Sequence, residues 1–431
     1  LQDYDGVQDR VLYLLDPRAP DAPPLTIDLP LPATGSLVAA SASPDGEWLM
    51  LLSHASDGAL LQIFNPTTGE TREVQLLVDW FRFPYFGPMP LWSPDSNYLA
   101  YLGAREPVAE THDTDTGSHV MVYSLQTNAS GIILRGEGNP FAPYLAAWSP
   151  DSSGLVAVTN NCEIDSGCRP WLSWHDVPPT QFYPLIIAPT DQLAVPYGQT
   201  AHAVCDLAWS PDGRLLAFEV DCDYANWGLY THDIYIWDTL QNAVSPLTTF
   251  TTPLPLDVTE QPGPGYFVDY DYLWYDATTL LVGRRWQLGT APESLTYETA
   301  AYSWPAGTSV QISSDLNREW TRSTTGLLAF RAETLALDGE QRTIVQNRTV
   351  QIADFDGATL TTLASGPSGC DLRWSPDGDW LAYSIREASE QPGMVCFNSL
   401  GYTFLNTSGT LHATTFTEST PVIHVGWVRV E

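Results

Sequence analysis

The chain has 431 residues, of which 44% are hydrophobic and only 16% charged, so it can bury a large core and is not disordered. Its formal net charge is −33, from 51 acidic residues against 18 basic ones, and every basic residue is arginine. Such a surface repels phosphate backbones and anionic lipids, which excludes nucleic acid as a partner. No apolar run approaches the roughly 20 residues that cross a bilayer, so we expect no membrane span.

A short motif recurs along the chain and is the main structural signal. Its first copy is Ser43-Pro44-Asp45-Gly46, and later copies are preceded by tryptophan. Those later copies are Trp92-Ser93-Pro94-Asp95-Ser96, Trp148-Ser149-Pro150-Asp151-Ser152, Trp209-Ser210-Pro211-Asp212-Gly213 and Trp374-Ser375-Pro376-Asp377-Gly378. Degenerate copies follow Trp274 and Trp320. The sequence therefore predicts seven related hairpins.

The composition of the motif indicates a tight turn between two strands. Proline presets φ at the second position, aspartate tolerates the third, and glycine adopts the positive φ of the fourth. The apolar stretch that follows each copy indicates a buried strand. Where Ser96 and Ser152 replace the glycine, we expect a different or a strained turn. We interpret the leading tryptophans, and Trp427 near the C-terminus, as anchors that pack between neighbouring repeats.

A second pair of short strands follows each hairpin, and no amphipathic helix is apparent between them. Examples are Asp233–Asp238 with Ser245–Thr248, and Val350–Ala353 with Thr359–Leu363. Four antiparallel strands per repeat are typical of a β-propeller blade. We therefore predict an all-β chain that forms a single β-propeller of four-stranded blades over residues 1–431.

Strands at the two ends of the chain decide the predicted number of blades. Val11–Leu15 and Leu25–Leu29 resemble the outer strands of a blade, and Val422–Val428 resembles an inner strand. Joined together they form an eighth blade, closed by strands from both termini; seven blades is the alternative. The predicted segments are 1–36, 37–85, 86–140, 141–198, 199–262, 263–314, 315–366, 367–418 and 419–431.

Six cysteines fall into three close sequence pairs. Three disulfides would place the chain in an oxidising compartment, whereas free buried thiols are the alternative. Leu1 is not methionine, and we interpret the chain as an exported product whose signal has been removed, located extracellularly, at the cell surface or in the periplasm. The expected pairs are Cys162 with Cys168, Cys205 with Cys222, and Cys370 with Cys396.

The Trp-Ser-Pro-Asp-Gly repeats resemble the TolB-like, or WD40-like PD40, β-propeller family of bacterial exported proteins. The resemblance covers nearly the whole chain and implies the propeller fold and export. Related propellers precede the hydrolase domain of prolyl oligopeptidases, but this sequence contains no Gly-x-Ser-x-Gly nucleophile elbow.

Two polar loops are the best candidates for a metal site. Asp113 and Asp115 lie between two histidines, and Asp221 and Asp223 alternate with other residues as calcium ligands do. Solvated loops without metal are the alternative at both places. Apart from calcium we predict no cofactor, and we assign no catalytic residue.

Three sequons provide acceptors for N-glycosylation in a host that glycosylates exported proteins. They begin at Asn128, Asn347 and Asn406. Exposed tryptophans outside the anchor positions also leave open a glycan-binding role.

The sequence supports two classes of function. The first is a non-catalytic exported propeller that binds proteins, or self-assembles, as a structural subunit of a cell-surface or extracellular assembly. The second is a hydrolase or lyase whose site lies in the central channel, with glycan binding as a further alternative. Candidate residues for such a channel site are Asp206, Asp269, Asp271, Asp371 and His424.

Overall fold

A computed structural model describes the chain as strands and turns, without a helix in its described residues. These residues are 11–32, 37–55, 58–77, 90–104, 118–134, 145–163, 167–177, 185–189, 204–220, 233–247, 266–288, 295–337, 343–385, 401–415 and 426–428. Within this part of the chain no helix is long and apolar enough to span a bilayer.

The N-terminal half begins with a two-stranded antiparallel sheet, β1 (Val11–Leu14) and β2 (Leu25–Asp28). Three four-stranded antiparallel sheets follow in chain order. Sheet 1 consists of β3 (Leu37–Ala42), β4 (Leu49–Ala55), β5 (Gly58–Phe64) and β6 (Thr71–Leu77). Sheet 2 consists of β7 (Leu91–Trp92), β8 (Tyr98–Ala104), β9 (Ser118–Ser124) and β10 (Ala129–Leu134). Sheet 3 consists of β11 (Leu145–Trp148), β12 (Gly154–Glu163), β13 (Gly167–Asp176) and β14 (Leu185–Pro189).

Four further four-stranded sheets complete the described fold. Sheet 4 consists of β15 (Val204–Trp209), β16 (Leu215–Val220), β17 (Asp233–Asp238) and β18 (Ala243–Pro246). Sheet 5 consists of β19 (Tyr266–Trp274), β20 (Thr279–Leu288), β21 (Leu295–Ser303) and β22 (Thr308–Ser313). Sheet 6 consists of β23 (Leu316–Arg322), β24 (Leu328–Leu337), β25 (Thr343–Phe355) and β26 (Leu360–Gly366). Sheet 7 consists of β27 (Gly369–Trp374), β28 (Trp380–Ile385), β29 (Gly401–Asn406) and β30 (Leu411–Thr415).

Seven four-stranded sheets confirm the predicted all-β propeller and correspond to its seven-blade alternative. Of the strands expected for an eighth blade, the N-terminal pair forms only the β1–β2 sheet. Gly426–Val428 have no strand conformation, and residues 421–425 lie outside the described part. The boundaries predicted for the individual blades stay predictions.

The chain divides into two compact units. Unit 1 comprises Leu1–Trp209, Gln241–Val244 and Ile423–Glu431, and it contains sheets 1 to 3. Unit 2 comprises Ser210–Leu240 and Ser245–Val422, and it contains sheets 5 to 7.

The N-terminal pair packs against sheet 1 through an apolar cluster in unit 1. Leu12 from β1 and Leu49 and Leu51 from β4 are buried in it, and Val428 from the C-terminal segment packs against the same cluster. Both ends of the described chain therefore share one core with sheet 1.

A buried serine hydroxyl organises the turn that joins the first two strands of five sheets. In sheet 2 the Ser93 hydroxyl donates to Asp95 Oδ1 over 2.6 Å and accepts the N–H of Tyr98 over 2.9 Å. Asp95 Oδ1 also accepts the N–H of Asn97, and Ser96 N–H closes the turn on Ser93 O. The same arrangement recurs in the turns that begin at Ser43, Ser149, Ser210 and Ser375.

The two serines that replace glycine keep this turn and adopt its strained conformation. Ser96 and Ser152 have φ of 62° and 60°, in the left-handed region that disfavours residues with a Cβ. Each hydroxyl accepts a backbone N–H from the turn of the preceding sheet, Asp45 N in one case and Asp95 N in the other, both over 3.0 Å. The strain is therefore offset by a hydrogen bond between neighbouring sheets that glycine cannot form.

Tryptophans before the turns also connect sheets within unit 1. The indole N–H of Trp92 donates to Ser41 O in sheet 1 over 3.3 Å, and that of Trp148 donates to Leu91 O in sheet 2 over 3.0 Å. The Trp148 ring stacks on Tyr98, with ring centroids 6.1 Å apart.

Trp320 lies elsewhere in its repeat than the other tryptophans. The turn of sheet 6 starts at Ser323, whose hydroxyl accepts the N–H of Leu327, so Arg322 occupies the place directly before the turn. Trp320 lies two residues earlier and packs on Phe330, with ring centroids 4.7 Å apart. Aligning this repeat on its tryptophan therefore shifts it by two residues.

We predict that replacing Ser96 with alanine destabilises the fold by about 1–2 kcal/mol. The substitution leaves Asp45 N–H without its acceptor and keeps a Cβ at positive φ. Ser96→Gly loses the same hydrogen bond but relieves the backbone strain, so its loss should be smaller. Urea unfolding of the three proteins measures the difference.

The matched control is Ser365→Ala, which removes an exposed hydroxyl on β26. It should leave the unfolding midpoint unchanged. Equal stabilities of Ser96→Ala and the parent chain would contradict the role assigned to this hydroxyl.

Candidate functional site

An acidic residue occupies one equivalent position in four successive sheets. The position is the fourth residue before the start of each turn, on the first strand, which borders the central channel in β-propellers. Sheets 4 to 7 place Asp206, Asp271, Glu319 and Asp371 there, whereas sheets 1 and 3 have Ala39 and Leu145. The first strands of unit 2 thus carry a row of three carboxylates, Asp271, Glu319 and Asp371, which we call the acidic row.

The backbone at two members of the acidic row is distorted. Glu319 and Asp371 have φ of 53° and 56°, and the pairing of β23 with β24 and of β27 with β28 shifts register at these places. Such bulges re-aim side chains and often lie beside functional sites. In unit 1, Asp206 has a φ of 48°.

Neighbouring members of the acidic row interact directly. The N–H of Glu319 in sheet 6 donates to Asp271 Oδ2 in sheet 5 over 2.6 Å. Burial raises the pKa of Glu319 above its usual value; Arg331 opposes this shift, and the charge of Asp371 adds to it. One carboxylate thus fixes the backbone of the next sheet, and Glu319 holds its proton more tightly than an exposed glutamate does.

An arginine behind the acidic row holds two carboxylates, the half-buried Glu319 and the buried Glu333. Arg331 on β24 pairs with Glu319 through Nη1 and with Glu333 Oε1 through Nε, the second over 2.7 Å. Glu333 is only 2% exposed and also accepts from Arg348 Nε over 2.9 Å. Arg331 Nη1 donates to Cys370 Sγ in sheet 7 over 3.5 Å. This network therefore connects sheet 6 to the first strand of sheet 7.

This arrangement mainly stabilises the fold through ion pairs. Buried carboxylates need a counter-charge, and a bidentate or shared guanidinium supplies it. Glu319 Oε1 and Glu333 Oε1 each form an ion pair with a nitrogen of Arg331. Glu319 Oε2 has no hydrogen-bond partner among the described residues.

Sequence reasoning identified two of these carboxylates and missed the third. The sequence predicts Asp271 and Asp371 on the channel side. In the structure they lie on the first strands of sheets 5 and 7, which precede and follow sheet 6 with its Glu319. An alignment of this repeat on Trp320 does not reach Glu319, whereas counting four residues back from Ser323 does. Asp269 lies on β19, but its side chain is outside the described part of the structure. His424 lies outside the described residues altogether.

The predicted metal loops are not described by the structure. Asp113, Asp115, Asp221 and Asp223 all lie outside the described residues, so calcium at these places stays a prediction. Among the residues that the structure does describe, no three histidine, cysteine or acidic side chains are grouped to hold a metal ion.

The three sequons lie at turns or on an exposed strand. Asn128 sits in a turn with a φ of 51°, and its Oδ1 accepts the hydroxyl of Tyr123. Asn347 is exposed on β25, and Asn406 Oδ1 accepts the N–H of Thr410 over 2.7 Å in the turn before β30. Glycosylation at the three positions stays a prediction.

The predicted cysteine pairs are described only in part. Cys162 and Cys168 are directly opposite each other in the pairing of β12 with β13. Cys370 is buried on β27. Cys222 and Cys396 lie outside the described residues, and for Cys205 only the backbone is described.

A second buried polar group lies in unit 1. Ser173 Oγ and His175 Nε2 on β13 are 2.8 Å apart, and the serine hydroxyl is 3.3 Å from Ala157 O. Burial lowers the pKa of His175 to about 4, against weaker opposing effects of Asp176 and the backbone of Ile133 in sheet 2. The imidazole is therefore neutral at pH 7 and bridges sheets 2 and 3.

Comparisons with known proteins agree with the fold. Residues 192–222, which include the motif at Trp209, match the family described as "WD domain, G-beta repeat". No curated protein sequence matches the chain. The described structure and this match together show a β-propeller with a WD40-type repeat.

Solved structures resemble the chain at low identity. A prolyl endopeptidase structure is 14% identical with a TM-score of 0.51, covering 90% of this chain and 51% of its own, so this chain spans about half that protein's length. An oligogalacturonate lyase in complex with manganese is 12% identical with a TM-score of 0.47, covering 88% and 86%. TolB from Acinetobacter baumannii is 15% identical with a TM-score of 0.36, covering 88% and 81%. These likenesses concern the fold alone.

We predict that Arg331→Met destabilises the chain by about 1–3 kcal/mol at pH 7. The substitution removes the arginine partner of Glu319, whose side chain is 33% exposed, and leaves the buried Glu333 with Arg348 alone. The deficit should shrink towards pH 4, because burial raises the pKa of Glu319 and protonation of this carboxyl removes its uncompensated charge. Denaturant unfolding at both pH values measures it.

Arg18→Met is the control, because the ion pair of Arg18 with Asp16 lies at the surface. The two side chains are 76% and 54% exposed. This change should leave the unfolding curve in place. A similar small effect of both substitutions would show that the network behind the acidic row does not stabilise the fold.

We predict that His175 makes the fold sensitive to mild acid. Its pKa is about 4 in the folded chain and 6.5 when unfolded, so its stabilising contribution is complete above pH 6.5. It falls by roughly 3 kcal/mol as the pH drops to about 4, because the unfolded chain binds the proton first. His175→Gln should remove this part of the pH dependence, measured as the difference between the two stability curves.

Parallel stability curves for the parent chain and His175→Gln between pH 6.5 and pH 4 would contradict this prediction.

Proposed function

We propose that the chain is an exported, non-catalytic member of the TolB-like PD40 propellers that binds proteins. In this hypothesis it serves as a structural subunit of a cell-surface or extracellular assembly. Its repeats use almost the whole sequence, and stacked rigid sheets offer faces and edges for contacts with other proteins.

The observation that carries the proposal is the use of the inner carboxylates. Asp271 accepts the backbone N–H of Glu319, and Glu319 is bound by Arg331. A general acid or a metal ligand must be free to meet its substrate or ion. Asp271 Oδ2 instead joins sheet 5 to sheet 6, and Glu319 Oε1 is held in an ion pair within sheet 6, which supports a scaffold.

The cysteines support export. Cys162 and Cys168 face each other across adjacent strands, which is the spacing that a cross-strand disulfide needs. Cys370 is buried on β27, and its expected disulfide partner is Cys396. Disulfides persist in oxidising compartments outside the cytoplasm.

The test is purification of the native protein under mild conditions, followed by cross-linking and mass spectrometry. A stoichiometric protein partner, or a polymer of the chain, supports the proposal. A monodisperse monomer that carries a bound metal ion and turns over a substrate contradicts it, and favours the hydrolase or lyase alternative. Retention on a glycan array by an otherwise monomeric chain favours the glycan-binding alternative.

We predict that reduction lowers the melting temperature of the chain. Each disulfide restricts the unfolded chain and contributes about 2–4 kcal/mol. Scanning calorimetry with and without a reducing agent measures the shift, and thiol titration of the denatured chain counts free cysteines before reduction. An unchanged melt together with six titratable thiols would refute the three disulfides.

A further inference from the structure

We propose that the outer edge of sheet 7, strand β30, binds an extended segment of a partner protein as an added strand. The segment we infer has uncharged, β-forming residues flanked by arginine or lysine. This inference rests on the proposed function, because it names the surface through which such a subunit would make its contact.

The outer strands of three of the seven sheets carry charges or prolines that protect an edge from pairing. β6 contains Arg72 and Glu73, while β14 and β18 end in Pro189 and Pro246. Charges and prolines of this kind discourage an added strand. β10, β22, β26 and β30 contain neither a charged residue nor proline.

Bulges separate β30 from the other three uncharged edges. The pairing of β10, β22 and β26 with their neighbours shifts register within each strand. Such irregularities twist an edge away from a regular partner. The five residues of β30 pair with β29 from Leu411 to Thr415 without a shift. Of these four edges, β30 is therefore the regular one.

The hydrogen-bonding pattern shows which groups of β30 face outwards. The N–H of Asn406 on β29 donates to Thr410 O over 3.0 Å. Antiparallel pairs alternate between those that exchange hydrogen bonds and those that do not, so His412 directs its backbone groups to β29. Leu411 and Ala413 then direct theirs away from the sheet, where an added strand would meet them.

Side chains on this edge suit an apolar partner strand. Leu411 is 42% exposed although it is a large hydrophobic residue, and Ala413 is exposed on the same face. The His412 ring packs on Trp380 with centroids 5.6 Å apart, which holds β30 against its own sheet. The edge therefore offers both backbone groups and apolar contact area on a fixed strand.

Charge favours a basic partner over a second copy of the chain. The chain has a net charge of −33 and contains no lysine, so two copies repel each other. Asp377 and Asp379 are exposed in the turn at the end of sheet 7 where β30 begins. A segment with arginine or lysine beside its strand would meet these carboxylates.

The test uses a fluorescein-labelled peptide, Arg-Thr-Val-Thr-Val-Thr-Arg, and the full chain. Fluorescence anisotropy should show binding that weakens as salt is added. Ala413→Pro removes an outward N–H but no hydrogen bond to β29, so it should weaken binding at least tenfold at an unchanged melting temperature. Ala413→Ser keeps the N–H and is the matched control, with affinity within a factor of two of the parent chain.

Binding that survives Ala413→Pro would overturn the assignment to β30 and leave the protein-binding function standing. No binding to the parent chain would overturn the inferred partner chemistry, and the native co-purification then decides the function separately. If sedimentation shows dimers without peptide that Ala413→Pro abolishes, the occupant is a second copy and the proposal is wrong.

Discussion

The fold depends on one polar interaction in an apolar place, the hydroxyl of the serine that starts the tight turn in most of the sheets. In five sheets this hydroxyl donates to the aspartate two residues later and accepts the backbone N–H that begins the second strand. Burying a hydroxyl is unfavourable unless it is hydrogen-bonded, so the turn is stable only when the serine hydroxyl has both of its partners. That requirement fixes where the first strand ends and the second begins, and hence the register of the sheet.

The sequence was informative where a local rule applies. The Ser-Pro-Asp-Gly copies specify a turn through residues that are adjacent in the chain, and the strands on either side follow from short apolar runs. The four-stranded repeat could therefore be predicted. The number of blades could not, because the strands of the chain ends have no such turn to mark them.

The candidate site was predictable only in part, for a related reason. Asp271 and Asp371 precede their turns by a spacing that is easily counted from Trp274 and Trp374. In sheet 6 the tryptophan stands two residues earlier, and a bulge at Glu319 accompanies it. The pairing of Glu319 with Arg331 on the neighbouring strand depends on how β23 and β24 meet, which spacing along the chain does not report.

The hydroxyls of Ser96 and Ser152 have a consequence for how such a chain can evolve. Each belongs to one repeat but satisfies a backbone group of the repeat before it. If the repeat of sheet 2 is deleted or moved, it takes along the Ser96 hydroxyl that sheet 1 needs and leaves behind the Ser152 hydroxyl that it used. Gene segments that encode these turns are therefore expected to be inherited in adjoining pairs rather than as interchangeable single modules.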